Sequence, residues 1–305
     1  MKNRKTVSTR FPSIKDLLEA GVHFGHETKR WNPEFSEYIY TRKGQFHIID
    51  VEKTLEKLSK AMKFLSTITD KGGVILIVGT KRQARDTIKD IAIECGAHYV
   101  NNRWVGGLMT NFDSIHKSIK ALRDIEERLS KDLKKYSQQE LSVLRREWAR
   151  LDRLFGGVKY LDKVPDVIVV FDAHFEKIAI REAKVANVPI VAIVDSNTDP
   201  SDIDYVIPAN DDAVKSIKLF GKYISKAILK GNRGKGVKHE IVDFSTAGIK
   251  NEDRSKKKSG KKDKKRKTKK QTNKKKKVIK GKKVGKNKKK AKIKKKKDKK
   301  GIKKK

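Results

Sequence analysis

Two stretches of this sequence combine cations, amides, glycine and tryptophan in the pattern a phosphate-bearing partner would need. In Asn101-Asn-Arg-Trp-Val-Gly-Gly-Leu-Met-Thr-Asn111, Arg103 and the amides can reach phosphate and ribose oxygens. Trp104 offers a face for stacking, and Gly106-Gly107 lets a backbone approach closely. His26-Glu-Thr-Lys-Arg-Trp-Asn-Pro33 repeats the vocabulary with Lys29, Arg30 and Trp31. The competing role for both tryptophans is to anchor a loop in the core, but that leaves the charges unexplained. A third stretch, Val78-Gly-Thr-Lys-Arg-Gln83, sets Lys81 and Arg82 at a helix start, where free backbone amides already favour anions. It has one glycine where a dinucleotide fingerprint needs three, and GxxxxGK[ST] is missing from the chain, so a nucleotide cofactor is disfavoured.

Other reactive side chains read more plainly. His23 and His26, three residues apart, could chelate a metal, yet no Asp, Glu or Cys follows at ligand spacing and two glycines interrupt the segment. RNA contact or ordinary loop packing is the favoured role. Cys95, just before Gly96, reads as a small core residue, not a nucleophile. Asp172, Asp195 and Asp199 fall at the carboxyl ends of predicted strands, where doubly wound enzymes keep their sites. Their simpler role is to cap loops and turns, with Asp199-Pro200 forming a turn. No carboxylate pair and no Ser-His-Asp set can be assembled from spacing alone.

The charge of the chain narrows the partner. Its 305 residues carry a formal +40, and residues 251–305 hold 33 basic against 4 acidic side chains, which is +29 of that total. So large an excess is strongly attracted to polyanions. Like charges at this density repel and leave almost nothing apolar to bury, so 251–305 is predicted to be disordered when free. The single cysteine rules out an internal disulfide and a zinc ribbon, which points to a reducing compartment. No run approaches about 18 uninterrupted apolar residues, so no membrane span is expected. The basic start, Met1–Arg10, lacks the apolar stretch of a secretory signal, and a short organellar transit peptide is the other way to read it.

These side chains have to be positioned by an alternation of two periods. Val74–Val78 is an apolar run entered through Gly72-Gly73 and left through Gly79, as a buried parallel strand would be. A helix over Ala84–Glu94, a weaker strand at Ala97–Val100, a strand at Val167–Phe171, a helix over Phe175–Ala186 and strands at Ile190–Val194 and Tyr205–Ile207 follow. An amphipathic helix then runs from about Asp211 to Lys230. The pattern predicts an α/β fold with about five parallel strands, covered on both faces through right-handed crossovers. Upstream, Ser13–Ala20 is a short helix and Asp50 caps a longer one. Between the second and third strands, Ile115, Ile119, Leu122, Ile125, Leu129 and Leu133 recur at steps of three and four, as do Leu141, Leu144, Trp148, Leu151 and Phe155. With the capping box Ser137-Gln-Gln-Glu140 between them, they predict a coiled-coil helical hairpin inserted at 111–157. The expected organisation is a core over 1–230, a linker over 231–250 and the basic tail.

Taken together, Gly21-Val-His-Phe-Gly-His26, Lys29-Arg-Trp-Asn-Pro33, Ile48-Ile-Asp50, Val78–Ala84, Asn101–Asn111, Ala192-Ile-Val-Asp195 and Asp204–Pro208 with Asn210-Asp-Asp212 closely resemble the bacterial-type family of the second protein of the small ribosomal subunit. The match runs in order from about Ser13 to Lys230. It implies a flavodoxin-like or Rossmann-like core that carries no cofactor and no small-molecule substrate, with a protruding coiled coil. It further implies a non-enzymatic component bound to small-subunit ribosomal RNA between head and body. The implied protein partners are neighbouring ribosomal proteins, including the large mRNA-binding first protein of the subunit in many bacteria. Matched motif by motif, the RNA-facing positions are His26, Lys29, Arg30, Lys81, Arg82, Asn102, Arg103, Thr110 and Asn111. The expected location is a bacterial-type cytoplasmic ribosome, with an organellar one as the alternative. The chain departs from the family at Phe171-Asp-Ala-His-Phe175, where Pro and Arg are more usual, and in its longer Lys-rich tail. From other classes, the competing functions are a Rossmann-like enzyme using Asp172 or Asp195 and a free nucleic-acid-binding regulator.

Overall fold

Parallel strands bring every strand exit to one edge, so strand order decides which loops can share a site. In the computed structural model, residues 11–131, 135–232, 239 and 244 are described. The expectations for Met1–Arg10, for most of 231–250 and for the tail 251–305 lie outside them. The chain runs through α1 (Ile14–Glu19), β1 (Phe24–Glu27), β2 (Ile39–Lys43), β3 (Phe46–Ile49), α2 (Val51–Asp70), β4 (Ile75–Val78), α3 (Arg85–Cys95) and β5 (His98–Val100). It continues through α4 (Phe112–Lys131), α5 (Gln138–Phe155), β6 (Val167–Phe171), α6 (Lys177–Val185), β7 (Ile190–Val194), β8 (Tyr205–Pro208) and α7 (Val214–Asn232).

Five strands form a parallel sheet in the order β5-β4-β6-β7-β8. Every residue of β4, β6 and β7 is buried, which explains their unbroken Val and Ile runs. Alternation sends Ile77, Val169 and Ile193 into one core with Leu58 of α2, Ile88 of α3 and Phe220 and Ile224 of α7. It sends Leu76, Ile168 and Val170, also buried, to the opposite face. Local signals end the helices where the sequence suggested. Asp50 Oδ1 accepts from the amides of Glu52 and Lys53, and Gly96 closes α3 in the left-handed region at φ 68.

The insert is a helical hairpin. Ile115, Ile119, Leu122, Ile125 and Leu129 of α4 are buried, as are Leu141, Trp148, Leu151 and Phe155 of α5. The capping box at Ser137 and Glu140 is formed. At its return, Gly157 lies so close to β5 that a Cβ there would stand 2.1 Å from the Tyr99 carbonyl oxygen. Phe244 meets Trp148 edge-on, with ring centroids 5.4 Å apart.

One element was missing from the sequence reading. β1, β3 and β2 form a small antiparallel sheet, with Pro33–Tyr38 as a 3-10 turn between β1 and β2. These strands are short and bulged, so no clean alternation marks them. They dock onto the exits of the main sheet. The Asn32 amide donates to Ser196 O at 2.7 Å, and the Asn210 amide to Val22 O at 3.0 Å. A Cβ on Gly25 would lie 2.8 Å from Ser196 Oγ, so this close approach needs glycine. No helix among the described residues is long and apolar enough to cross a membrane.

Candidate nucleic-acid interface

The exits of β4, β6, β7 and β8 converge at Lys81, Asp172, Asp195 and Asp211-Asp212. Lys81 Nζ lies 2.5 Å from Asp172 Oδ2, 3.1 Å from Asp211 Oδ1 and 2.7 Å from Asp212 Oδ1. The small sheet delivers His26, whose Nδ1 is 3.1 Å from Asp195 Oδ1 and whose Nε2 is 3.3 Å from Asp212 Oδ2. Asp172, Asp195 and Asp211 are only 4%, 1% and 2% exposed. Buried charges at this density survive only when paired. The hydrogen bond to Asp195 raises the His26 imidazole to about 9. Burial, then the neighbouring charges of Asp172 and Asp195, push the Asp211 carboxyl up to about 8. Burial by itself would lower Lys81, but the carboxylates of Asp211, Asp172 and Asp212 outweigh it and raise the ammonium above its ordinary value.

Two of the expected RNA-facing residues are largely enclosed. Lys81 is not an open cation at a helix start: it is folded back into carboxylates, with its side chain 16% exposed. His26 is likewise a half-buried link between the two sheets. The caps expected of the aspartates are also there: Asp172 Oδ1 accepts from the Phe175 amide at 2.8 Å, Asp195 Oδ1 from the Ser196 amide at 2.5 Å and Asp199 Oδ1 from the Ser201 amide at 2.9 Å. Donor atoms of His26, Asp195 and Asp211 lie within 4.8 Å of one another, and Asp211 Oδ2 is buried with no hydrogen-bond partner. One imidazole and two carboxylates are a donor set that a divalent cation can use. His23 stands apart, stacked on Phe24 at 4.1 Å, and burial lowers its pKa, as does Lys43 nearby.

The 101–111 loop is built around Glu182 of α6, a residue that sequence reasoning did not single out. Glu182 Oε1 accepts from Trp104 Nε1 at 3.1 Å and from the Gly107 amide at 2.8 Å, and Oε2 from the Met109 amide at 3.2 Å. Trp104, Leu108 and Met109 are thereby buried. Trp104 is a core anchor, so the stacking role offered for it does not hold. Arg103, Thr110 and Asn111 are left exposed on the outer side. Asn102 is half-buried, and its Nδ2 donates to Arg153 O at 3.1 Å, tying the loop to the hairpin base. Lys29, Arg30 and Arg82 are exposed. Trp31, 38% exposed, leans on the His47 ring at 5.2 Å. Cys95 is free and buried as expected, and burial pushes its thiol up to about 12.

A signal for part of the cluster was present. Asn210-Asp-Asp212 follows a strand just as Asp172 and Asp195 do, so all three acidic exits lie on the same edge of a parallel sheet.

The exits of this parallel sheet are locked by internal ion pairs, with exposed cations and amides on the surrounding loops. The chain belongs to the ribosomal protein S2 family, whose family model matches residues 17–231. It is accordingly a structural protein of the small ribosomal subunit and not an enzyme.

Proposed function

We propose that the chain binds small-subunit ribosomal RNA through the exposed rim formed by Arg103, Thr110, Asn111, Lys29, Arg30 and Arg82, with Asn102 beside it. His26 and Lys81 support that rim from beneath and do not touch RNA themselves. One observation carries this reading: the 101–111 loop spends Trp104, Leu108 and Met109 on the core yet keeps Arg103, Thr110 and Asn111 exposed. A loop fixed in this way offers charge and amides without an ordering cost at binding. The tail 251–305 adds a sequence-independent attraction to the same polyanion through its 33 cations. Neighbouring small-subunit proteins, including the large mRNA-binding first protein where it exists, are the proposed protein partners. The proposed setting is a bacterial-type cytoplasmic ribosome, which cell fractionation separates from an organellar one.

Arg103→Ala tests the rim. Thermal unfolding of the free protein should barely move, while affinity for small-subunit RNA and incorporation into subunits should fall by roughly 1–3 kcal/mol. A destabilised free protein that incorporates normally would make Arg103 a structural residue and remove the loop from the interface.

A further inference from the structure

Helix α6 sorts its charges by face. Its two acidic neighbours point inward: Glu176 Oε1 accepts from the Thr80 amide at 2.6 Å, and Glu182 holds the 101–111 loop. The charged side chains it shows outward, Lys177, Arg181 and Lys184, are all basic. Lys184 is paired with Asp202, whereas Lys177 and Arg181 make no ion pair among the described residues. Ile178, Arg181 and Val185 follow at steps of three and four, so they form one line down the middle of this face. Ile178 is 60% exposed, Val185 68% and Phe175, at its edge, 58%. Three large apolar side chains are thus more than half open to solvent along one short segment.

The neighbouring charges identify the occupant. Helix α1 and the segment before it also expose apolar side chains, Phe11, Ile14 and Leu18, but Lys15, Asp16 and Glu19 leave that face without a dominant sign. On α6 the sign is uniform. RNA would satisfy Lys177 and Arg181 and could stack a base on Phe175, but it would press phosphate against the central Ile178 and Val185, which are aliphatic. An amphipathic protein segment satisfies both, with an apolar stripe on Ile178 and Val185 and carboxylates at the rim.

We propose that the outer face of α6 is a docking surface for an acidic, amphipathic segment of a neighbouring small-subunit protein. The proposal rests on the chain's place in the subunit but not on which residues touch RNA. Because the inner face of the same helix fixes the candidate RNA loop through Glu182, a docked protein would brace that loop from behind.

The test places a photo-crosslinking p-benzoylphenylalanine at Ile178, or separately at Val185, in the full chain assembled into small subunits. Sedimentation of the labelled chain reports incorporation independently of any crosslink. The expected product is a crosslink to a protein peptide rich in Asp and Glu. Crosslinking to RNA, to a basic peptide or to nothing in assembled subunits would overturn the proposal. A second measurement uses the free protein and a synthetic 18-residue Leu/Glu amphipathic helix, with its Leu/Lys counterpart as control. The acidic peptide should bind at least about tenfold more tightly, a difference of 1.4 kcal/mol, and the double variant Lys177→Glu, Arg181→Glu should abolish that preference. Equal binding of the two peptides, or a preference that survives the double variant, would also overturn it. Failure to incorporate, by contrast, would count against the role in the subunit.

Discussion

Replacing Lys81 with methionine keeps the aliphatic stem and removes an ammonium that three carboxylates share. Removing one partner of a buried pair typically costs about 3–5 kcal/mol, because the surviving charge stays buried. Asp172 and Asp211 are 4% and 2% exposed and neither can turn to water, so the cost reaches that range where both are ionised. Asp212, half exposed at its side chain, can rehydrate and adds little. For a domain of this size the loss corresponds to a fall in Tm of roughly 6–20 °C. The penalty should depend on pH. Asp211 is already raised to about 8, and losing the Lys81 charge that restrains it must raise it further. A carboxyl raised in the folded state contributes stability below its unfolded value, and that contribution is lost as pH rises through the folded value. The variant should therefore lose most against the parent above pH 8, where Asp211 is ionised, and least below pH 8, where Asp211 keeps its proton in both proteins. Denaturant unfolding of both proteins at several pH values between 5 and 9 measures this. Arg82→Met, in the same turn but exposed, should shift stability by no more than about 0.5 kcal/mol. A Lys81→Met protein of unchanged stability but weakened RNA binding would refute the reasoning and return Lys81 to the interface.

Three further outcomes are expected. Glu182→Ala leaves Trp104 Nε1 and the Gly107 and Met109 amides without an acceptor, at about 1–3 kcal/mol for each group that stays buried. Hydrogen exchange at Gly107 and Met109 should quicken and RNA affinity should fall, and unchanged exchange would show that the loop holds itself. His26 is raised from 6.5 to about 9, first by its hydrogen bond to Asp195, so its stabilisation is complete below pH 6.5 and lost as pH rises through 9. His26→Gln should flatten that decline, and an equally steep decline in the variant would place its origin elsewhere. Deleting residues 251–305 should leave the unfolding transition in place. If a third of the 33 cations touch phosphate together, deletion should lower the log–log salt slope of RNA binding by about 8–10. An unchanged slope would point the tail to an acidic protein instead.

The main sheet and the hairpin could be read from the sequence because burial leaves a local record. Val167–Phe171 and Ile190–Val194 are unbroken apolar runs since parallel strands are covered on both faces, and Ile115, Ile119, Leu122, Ile125 and Leu129 keep helical spacing because one stripe faces the second helix. The caps at Asp50 and Ser137 were equally legible, since each is settled within one turn by its own backbone amides. The charge of the tail needs no fold at all. Only tertiary structure decided what the ionisable residues do. Lys81 and Arg82 are adjacent cations with the same local surroundings, yet one is enclosed by carboxylates and the other faces solvent, because the parallel order carries Asp172 and Asp211 to Lys81 from 91 and 130 residues away. His26 meets Asp195 across 169 residues through a small sheet too short and bulged to announce itself. Trp104 became a core anchor because Glu182, 78 residues later, supplied its acceptor. Periodicity records whether a side chain is buried, but the partner that makes a buried charge tolerable is set by strand order, and strand order is a property of the whole chain.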